Sequence, residues 1–171
     1  MNETTITRAV IEDAAALAEL GASTFSETFG HLYPPEDLQT FLSTTHSLEN
    51  WRDVLSKAGN DVLLAKDVSG ANAGFALVGT CKLPVEDLEA DAGEIRQLYV
   101  QTEFQNRGLG ARLMDEALAC LARKNRKPVY IGVWSENFGA QRFYARYGFT
   151  KVGEYGFRVG STIDHEFILK G

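Results

Sequence analysis

A glycine-containing turn at residues 105–111 has the clearest chemical potential in this sequence. It reads Gln-Asn-Arg-Gly-Leu-Gly-Ala and lies between a predicted strand and an amphipathic helix predicted over 108–125. The first backbone amides of a helix have no partners within the helix, and the helix dipole adds partial positive charge there. Gly108 and Gly110 would let the backbone approach a phosphate closely, and Arg107 adds a permanent charge. The turn therefore predicts a binding site for a diphosphate or a similar anion.

Two common phosphate-binding motifs do not match this turn. A nucleotide-binding P-loop requires Gly-Lys followed by Ser or Thr, which is not the sequence here. A dinucleotide-binding Gly-x-Gly-x-x-Gly motif needs a small residue where this chain has Leu113. The remaining alternative is a helix that starts at glycine and binds nothing. The elements on either side of the turn are needed to distinguish this alternative from an anion-binding site.

The segments around the turn predict a succession of helices and strands. Apolar periodicity indicates the helices, and runs of β-branched residues indicate the strands. Ser47 is typical of a helix start, and Gly148 is typical of the position after a last helical turn. The predicted elements are strand 5–10, helix 13–29, a helix start at 34–35, helix 47–59, strands 61–66, 74–83 and 94–100, helix 108–125, strand 129–134, helix 137–147 and strands 150–157 and 161–169. This order predicts one mixed α/β (α+β) domain over residues 1–171.

Length and composition exclude several classes of protein. The chain has 171 residues, 44% hydrophobic and 23% charged, which is typical of one globular domain rather than a disordered or fibrous chain. Its apolar runs are far shorter than the roughly 18 residues of a membrane helix, and residues 1–5 lack the character of a secretory signal. No Lys or Arg run is interleaved with aromatic residues. Neither a membrane nor a nucleic acid is therefore predicted as a partner.

The cysteines and histidines do not suggest a metal site. Cys81 and Cys120 have neither disulfide-framework nor zinc-site spacing, and we expect them to be buried free thiols in a reducing cytoplasm. His31, His46 and His165 are scattered without the spacing of metal ligands, so structural or solvent-facing roles are favoured and no metal is predicted.

The context of the turn resembles the GNAT superfamily of acetyl-CoA-dependent N-acetyltransferases. The resemblance combines the turn Gln105-x-x-Gly108-x-Gly110 with the later run Asn137-x-x-Ala140-x-x-Phe143-Tyr144-x-x-Tyr147-Gly148-Phe149. More narrowly, the chain resembles the bacterial PaiA-type polyamine acetyltransferases. The residues that carry this finer likeness are Thr24-Phe25-x-Glu27-Thr28-Phe29, Glu94-Ile95-x-x-Leu98-Tyr99-Val100, Gly132-Val133-Trp134 and Phe157-Arg158-Val159-Gly160 with Asp164.

The resemblance implies a GNAT-like fold, in which a central, mostly antiparallel sheet with splayed parallel strands is flanked by helices. It also implies acetyl-CoA as co-substrate, with its pyrophosphate on the turn and its pantetheine arm between strands 94–100 and 129–134. The implied cofactor-binding residues are Leu98, Val100, Gln105, Asn106, Arg107, Gly108, Leu109, Gly110, Ala111, Asn137 and Phe143. Asn137 could equally be a helix N-cap, and the spacing of Phe143 also suits a core aromatic residue.

Tyr144 and Glu94 are the catalytic residues that the resemblance implies. Amine attack on a thioester expels a thiolate, and the phenol of Tyr144 could supply its proton. An alkylamine is neutral only about once in a few thousand molecules at pH 7, so a base such as Glu94 is useful. The alternatives are a core tyrosine and an ordinary carboxylate at a strand start. Some relatives carry a second carboxylate two residues further on, where this chain has Arg96, which weakens both the base assignment and a polyamine preference.

The acceptor is predicted to be a cation. Residues 1–94 hold 16 acids and 5 Lys or Arg, a net charge of −11, while residues 95–171 hold 7 acids and 12 Lys or Arg, a net charge of +5. The acidic half favours a cationic acceptor through long-range steering, although solvated surface charge is an equally good explanation. The acceptor-binding residues that the resemblance implies are Phe25, Phe29 and Tyr33, with the acidic loop 86–91.

The sequence leaves the identity of the acceptor open. A polyamine, a diamine, a lysine-bearing peptide and a protein N-terminus all satisfy the charge argument, and a catalytically silent acyl-CoA sensor is the alternative of a different class. Asp164 and Glu166 alternate on the last strand, and the pattern favours a solvent-exposed sheet face for them over an acceptor pocket. A homodimer is implied by the resemblance alone.

Overall fold

A computed structural model describes residues 3–171 of the chain. These residues form one seven-stranded sheet with helices on both faces. Met1 and Asn2 of the predicted domain lie outside the described residues. The elements are β1 (Thr5–Arg8), α1 (Ala14–Phe29), α2 (Pro35–Thr45), α3 (Leu48–Ser56), β2 (Asn60–Lys66), β3 (Asn72–Thr80), β4 (Gly93–Val100), α4 (Leu109–Arg123), β5 (Val129–Trp134), α5 (Phe138–Ala145), β6 (Thr150–Val159) and β7 (Thr162–Lys170).

The predicted mixed fold is confirmed, and the differences lie at element ends. β1 ends at Arg8 instead of residue 10, and β3 ends at Thr80 instead of residue 83. α3 begins after Ser47, whose side chain accepts a hydrogen bond from the Asn50 amide as the sequence predicts. It ends at Ser56 instead of Gly59, because Lys57 already has an extended backbone with ψ 120°.

The strand order is β1-β2-β3-β4-β5-β7-β6, and only the β4–β5 pair is parallel. The central strands are covered on both faces, so their side chains alternate between two cores. Leu63 of β2 joins a core with Leu113 of α4, whereas Leu64 joins a core with Leu17 of α1 and Trp51 of α3. Because both faces are covered, β2 and β3 are almost continuously buried, and their central residues 62–65 and 73–79 are apolar rather than alternating.

The two parallel strands separate soon after they meet. β4 and β5 are paired only at Gly93 with Val129 and at Glu94 with Tyr130. Beyond these positions β4 continues to Val100 beside β3, and β5 continues beside β7. The splayed strands leave facing backbone edges inside the sheet, which is the gap that a ligand with peptide-like groups can fill.

A β-bulge in β4 changes which way its side chains point. Leu77 of β3 is opposite Gln97 and Val78 is opposite Ile95, so Arg96 is an extra residue in the ladder. Ile95 and Leu98 consequently both face the core beneath α4, although three positions separate them.

Within residues 3–171, none of the helices combines the length and apolar character needed to cross a bilayer.

Candidate active site

The gap between β4 and β5 opens into a groove at the start of α4, which we call the α4 groove. Its volume is about 690 Å³. Its lining residues are Leu98, Val100, Gln105, Asn106, Gly108, Gly110, Ala111, Gly139, Ala140, Phe143, Tyr144, Arg146 and Tyr147. The structure thus brings together most of the residues predicted to bind the co-substrate.

The first turn of α4 is suited to bind an anion. α3 and α5 have side-chain N-caps, Ser47 and Asn137, whereas α4 begins after Gly108 with no side-chain cap. Gly108 has φ 79°, in the left-handed region that glycine adopts without strain. A Cβ added at Gly108 or Gly110 would meet nothing within 4 Å, so the space above the helix N-terminus is open. These residues fit the diphosphate of coenzyme A.

Some predicted cofactor residues have other positions. Arg107 is exposed and does not line the α4 groove, and Leu109 is buried in the core beneath α4. The cation that lines the groove is Arg146, which lies 5.5 Å from the ring centre of Phe143. Gln105 donates a hydrogen bond of 2.9 Å from Nε2 to the Val100 carbonyl oxygen, and so fixes the turn to the end of β4.

Asn137 caps α5 and also faces the site. Its Oδ1 accepts a hydrogen bond of 3.1 Å from the Ala140 amide, and the residue lines the cavity next to the α4 groove. The two roles that the sequence left open for Asn137 are therefore compatible.

Tyr144 lies where the α4 groove meets a second cavity, and it lines both. The side chain is 9% exposed. Burial raises the pKa of Tyr144 to about 12, so the hydroxyl keeps its proton at neutral pH. A protonated phenol at this junction can donate to a group at the end of the α4 groove.

The second cavity, which we call the aromatic cleft, has a volume of about 510 Å³ and lies between α1, α2 and the splayed strands. Phe25, Phe29 and Tyr33, which are predicted to bind the acceptor, line it, and rings from distant segments complete it. These further aromatic residues are Phe41, Tyr99, Trp134, Tyr155 and Phe157. Aromatic faces attract cations, so such a wall suits an ammonium group.

The acidic loop 86–91, which is predicted to contact the acceptor, does not line the aromatic cleft. Glu89 accepts hydrogen bonds of 2.6 Å from both the Tyr130 hydroxyl and Lys170 Nζ. The charge of Glu89 is therefore paired with Lys170, beside the start of β5 and the end of β7.

Glu94 lines the aromatic cleft, but it already has partners. Its Oε2 accepts a hydrogen bond of 2.8 Å from the Lys82 amide and lies 3.8 Å from Arg96 Nε. Burial raises the pKa of Glu94, and both of these partners act in the opposite direction. Arg96 in turn donates to Asn60 Oδ1 at 2.7 Å and to the Thr80 carbonyl oxygen at 2.6 Å.

Glu166 also lines the aromatic cleft, so the solvent-exposed face favoured for it by the sequence is wrong. The Tyr155 hydroxyl donates to its Oε2 at 2.5 Å. Asp164, one step along the same face of β7, accepts a hydrogen bond from the hydroxyl of Tyr33. Strand alternation places these carboxylates on one face but does not show that α2 covers that face.

His46 is a cleft residue that the sequence did not indicate. It is 5% exposed and its Nδ1 accepts a hydrogen bond of 3.3 Å from Trp51 Nε1. Burial lowers the pKa of His46 to about 4, so the ring is neutral at pH 7. His165, in contrast, is exposed and pairs with Glu154.

Both cysteines are free thiols, with Cys120 buried and Cys81 half-buried. Burial raises the pKa of both thiols, which makes them poor nucleophiles at neutral pH.

Comparison with known proteins agrees with this geometry. The family model of the acetyltransferase (GNAT) domain matches residues 31–163. An uncharacterized N-acetyltransferase of Lactobacillus delbrueckii subsp. lactis is 29% identical over 159 residues, covering 93% of this chain and 91% of that protein. The spermidine N(1)-acetyltransferase of Thermoplasma acidophilum is 25% identical over 162 residues, covering 94% of this chain and 91% of that protein.

The fold is also shared with solved structures. The PaiA N-acetyltransferase of Thermoplasma acidophilum, in complex with coenzyme A, superposes with a TM-score of 0.78 at 19% identity over 98% of both chains. The family match, together with the splayed sheet and the two adjoining cavities, assigns the chain to the acyltransferases. The chain belongs to the GNAT acetyltransferase family, and it is an acetyl-CoA-dependent N-acetyltransferase.

Proposed function

We propose that this protein transfers the acetyl group of acetyl-CoA directly to a small cationic primary amine, such as a polyamine. The observation that carries the proposal is the aromatic cleft, which the carboxylate of Glu166 lines together with aromatic rings and Tyr144. Carboxylates and aromatic faces both favour an ammonium ligand over a neutral or anionic one. The spermidine N(1)-acetyltransferase among the relatives supports the same acceptor class.

The co-substrate is proposed to lie in the α4 groove. Acetyl-CoA supplies the acetyl thioester. The uncapped amides from Gly108 onward would bind its diphosphate, and the free backbone edge of β4 at Leu98 and Val100 would bind its pantetheine arm. Tyr144, at the junction of the two cavities, would donate the proton that the departing thiolate needs.

An acceptor panel tests this function. Thiol release from acetyl-CoA is measured with spermidine, 1,4-diaminobutane, butylamine, a lysine-bearing peptide and a peptide with neutral side chains and a free N-terminus. We expect kcat/KM for spermidine to exceed that for the neutral peptide by at least about tenfold. A tenfold preference needs only about 1.4 kcal/mol of additional binding free energy. Mass spectrometry identifies the acetylated product.

Each other outcome has a separate meaning. If spermidine is no better than the neutral peptide, the polyamine preference is excluded, and the better peptide acceptor defines the substrate class. If none of these amines is acetylated while calorimetry still detects coenzyme A binding, the proposed acceptor class is excluded, and the result favours the silent acyl-CoA sensor that the sequence left as the alternative.

We further propose that residues 1–171 are one N-acetyltransferase domain that acts in the cytoplasm as a homodimer. A single sheet joins β1 to β7, and the free thiols suit a reducing compartment. Size-exclusion chromatography with light scattering tests the dimer: a mass near 18.8 kDa at micromolar concentration would exclude it.

A further inference from the structure

The two glutamates of the aromatic cleft differ in their electrostatic surroundings. Glu94 has the Lys82 amide and the Arg96 guanidinium beside it. Glu166 forms no ion pair with any Lys or Arg of residues 3–171. A half-buried carboxylate without a cationic partner is costly, and that cost is removed when a ligand supplies the cation.

The ionisable groups that act on Glu166 are acidic or neutral, whereas the two cations that line the aromatic cleft, Lys82 and Arg96, act on Glu94. Tyr155 of β6 donates the one hydrogen bond, Asp164 lies on the same strand, and Tyr99 of β4 and Tyr33 after α1 are close enough to interact with the carboxylate. Burial, followed by the charge of Asp164, raises the pKa of Glu166, and the Tyr155 hydrogen bond opposes this increase.

The backbone of β5 brings this carboxylate to the splayed strands. Glu166 is opposite Trp134 in the β5–β7 ladder, and a Cβ added at Gly132 would lie 2.4 Å from the Tyr155 hydroxyl and 3.4 Å from Glu166 Oε2. Gly132 therefore makes room for the Tyr155–Glu166 pair directly over β5. The β4–β5 pairing has already ended at Tyr130, so the carboxylate is next to the open gap.

We propose that Glu166, rather than Glu94, binds the ammonium group of the acceptor and accepts its proton. This inference rests on the proposed function and assigns the acceptor-activating residue of the same site. The Tyr155 hydroxyl has a positioning role, because it orients the Glu166 carboxylate, while the ring forms part of the cleft wall.

The proton and electron balance is simple. An N–H bond of the bound ammonium breaks, and its proton moves to a carboxylate oxygen of Glu166. The freed nitrogen lone pair forms the new C–N bond with the thioester carbonyl carbon, and the C–S bond breaks with its electron pair on sulfur. Tyr144 gives the thiolate its proton and is reprotonated by the proton lost from the tetrahedral nitrogen. The proton on Glu166 returns to solvent, so each turnover releases one proton.

The first test compares three glutamine variants of similar size. Glu166→Gln should lower kcat/KM for the amine by about 10²-fold or more, while the affinity for coenzyme A stays within twofold. Glu154→Gln, a control at an exposed carboxylate of the adjacent strand, should retain wild-type turnover. Glu94→Gln should lower kcat/KM for the amine by a smaller factor than Glu166→Gln. The proposal is overturned if Glu166→Gln stays within threefold of wild type, or if Glu94→Gln has the larger loss.

The second test uses Tyr155→Phe, which keeps the ring and the carboxylate. Removing the hydroxyl removes an interaction that lowers the pKa of Glu166, so that pKa should rise. The base then stays protonated to a higher pH, and the acid limb of the kcat/KM profile should move to higher pH. An acid limb that does not move, in a variant with normal circular dichroism and coenzyme A binding, overturns the proposal because a merely structural pair would behave in this way.

Failure of the inference can be distinguished from failure of the proposed function. If wild-type protein acetylates an amine and Glu166→Gln does so equally well, only the role of Glu166 is lost. If wild-type protein acetylates no amine although it binds coenzyme A, the proposed function itself is wrong, and the role of Glu166 is overturned with it.

Discussion

The ring of His46 lies directly against the backbone of Gly21: a Cβ added at Gly21 would be 2.2 Å from Nδ1. The same nitrogen accepts the hydrogen bond from Trp51 of α3. His46 therefore ties α1 to the start of α3 immediately beside the aromatic cleft, and the absence of a side chain at residue 21 is what permits this contact.

Gly21→Ala should therefore destabilise the protein and weaken acceptor binding. A Cβ at 2.2 Å forces the His46 ring to move, and overpacking of this kind costs about 1–3 kcal/mol. We expect a lower midpoint of urea unfolding and a higher KM for the amine. Gly30→Ala is the matched control, because Gly30 has φ −56° and a Cβ there meets its nearest atom at 3.5 Å. Equal unfolding midpoints for the two variants would contradict the prediction.

The neutral His46 ring predicts a pH dependence of stability. Its pKa falls from 6.5 in the unfolded chain to about 4 in the folded protein because of burial. Between these values the unfolded chain binds a proton that the folded protein does not, so the free energy of unfolding should decrease as the pH falls from 6.5 to about 4. Each pKa unit corresponds to about 1.36 kcal/mol, which gives a loss on the order of 3 kcal/mol.

His46→Asn isolates this contribution. The asparagine Oδ1 can accept the hydrogen bond from Trp51 Nε1, and the side chain does not titrate. The variant should be less stable at pH 7 because of the smaller side chain, but its unfolding free energy should fall less between pH 6.5 and 4. Urea titrations at several pH values measure both quantities, and parallel curves for the two proteins would exclude His46 as the source.

Tyr144→Phe should separate chemistry from binding. The hydroxyl is protonated at neutral pH and lies at the junction of the two cavities, so its loss removes the proposed proton donor. We expect kcat to fall by about 10²-fold, with little change in coenzyme A affinity because the ring stays. Tyr147→Phe is the control: its hydroxyl donates to the Ala111 carbonyl oxygen at 3.3 Å, away from the aromatic cleft. An unchanged kcat for Tyr144→Phe would remove this residue from the mechanism.

The local features of the fold were predictable because their causes are local. Ser47 caps α3, Gly148 with φ 85° forms the turn that follows α5, and Gly108 precedes α4, each through a preference carried by one residue and its neighbours. The α4 groove could be predicted for the same reason, since its anion-binding part is one turn followed by one helix.

The aromatic cleft was less predictable because its geometry is non-local. Glu166 faces the cleft only because α2 lies over β6 and β7, with the Asp37 carboxylate accepting hydrogen bonds from Ser161 and Thr162. Strand alternation assigns a residue to a face, but it does not indicate what covers that face. The bulge at Arg96 has the same character, since it depends on the register with β3.

Gly108→Ala tests whether the start of α4 binds the coenzyme. An alanine at φ 79° is strained by roughly 1–2 kcal/mol, and its methyl group would project into the open space where the diphosphate is proposed to lie. Gly70→Ala is the matched control, because Gly70 has φ 86° and equally open surroundings in the turn between β2 and β3. We expect similar losses of stability in both variants. Only Gly108→Ala should weaken coenzyme A binding, by roughly tenfold in a calorimetric titration. If both variants bind the coenzyme as tightly as wild type, the diphosphate does not lie on this turn.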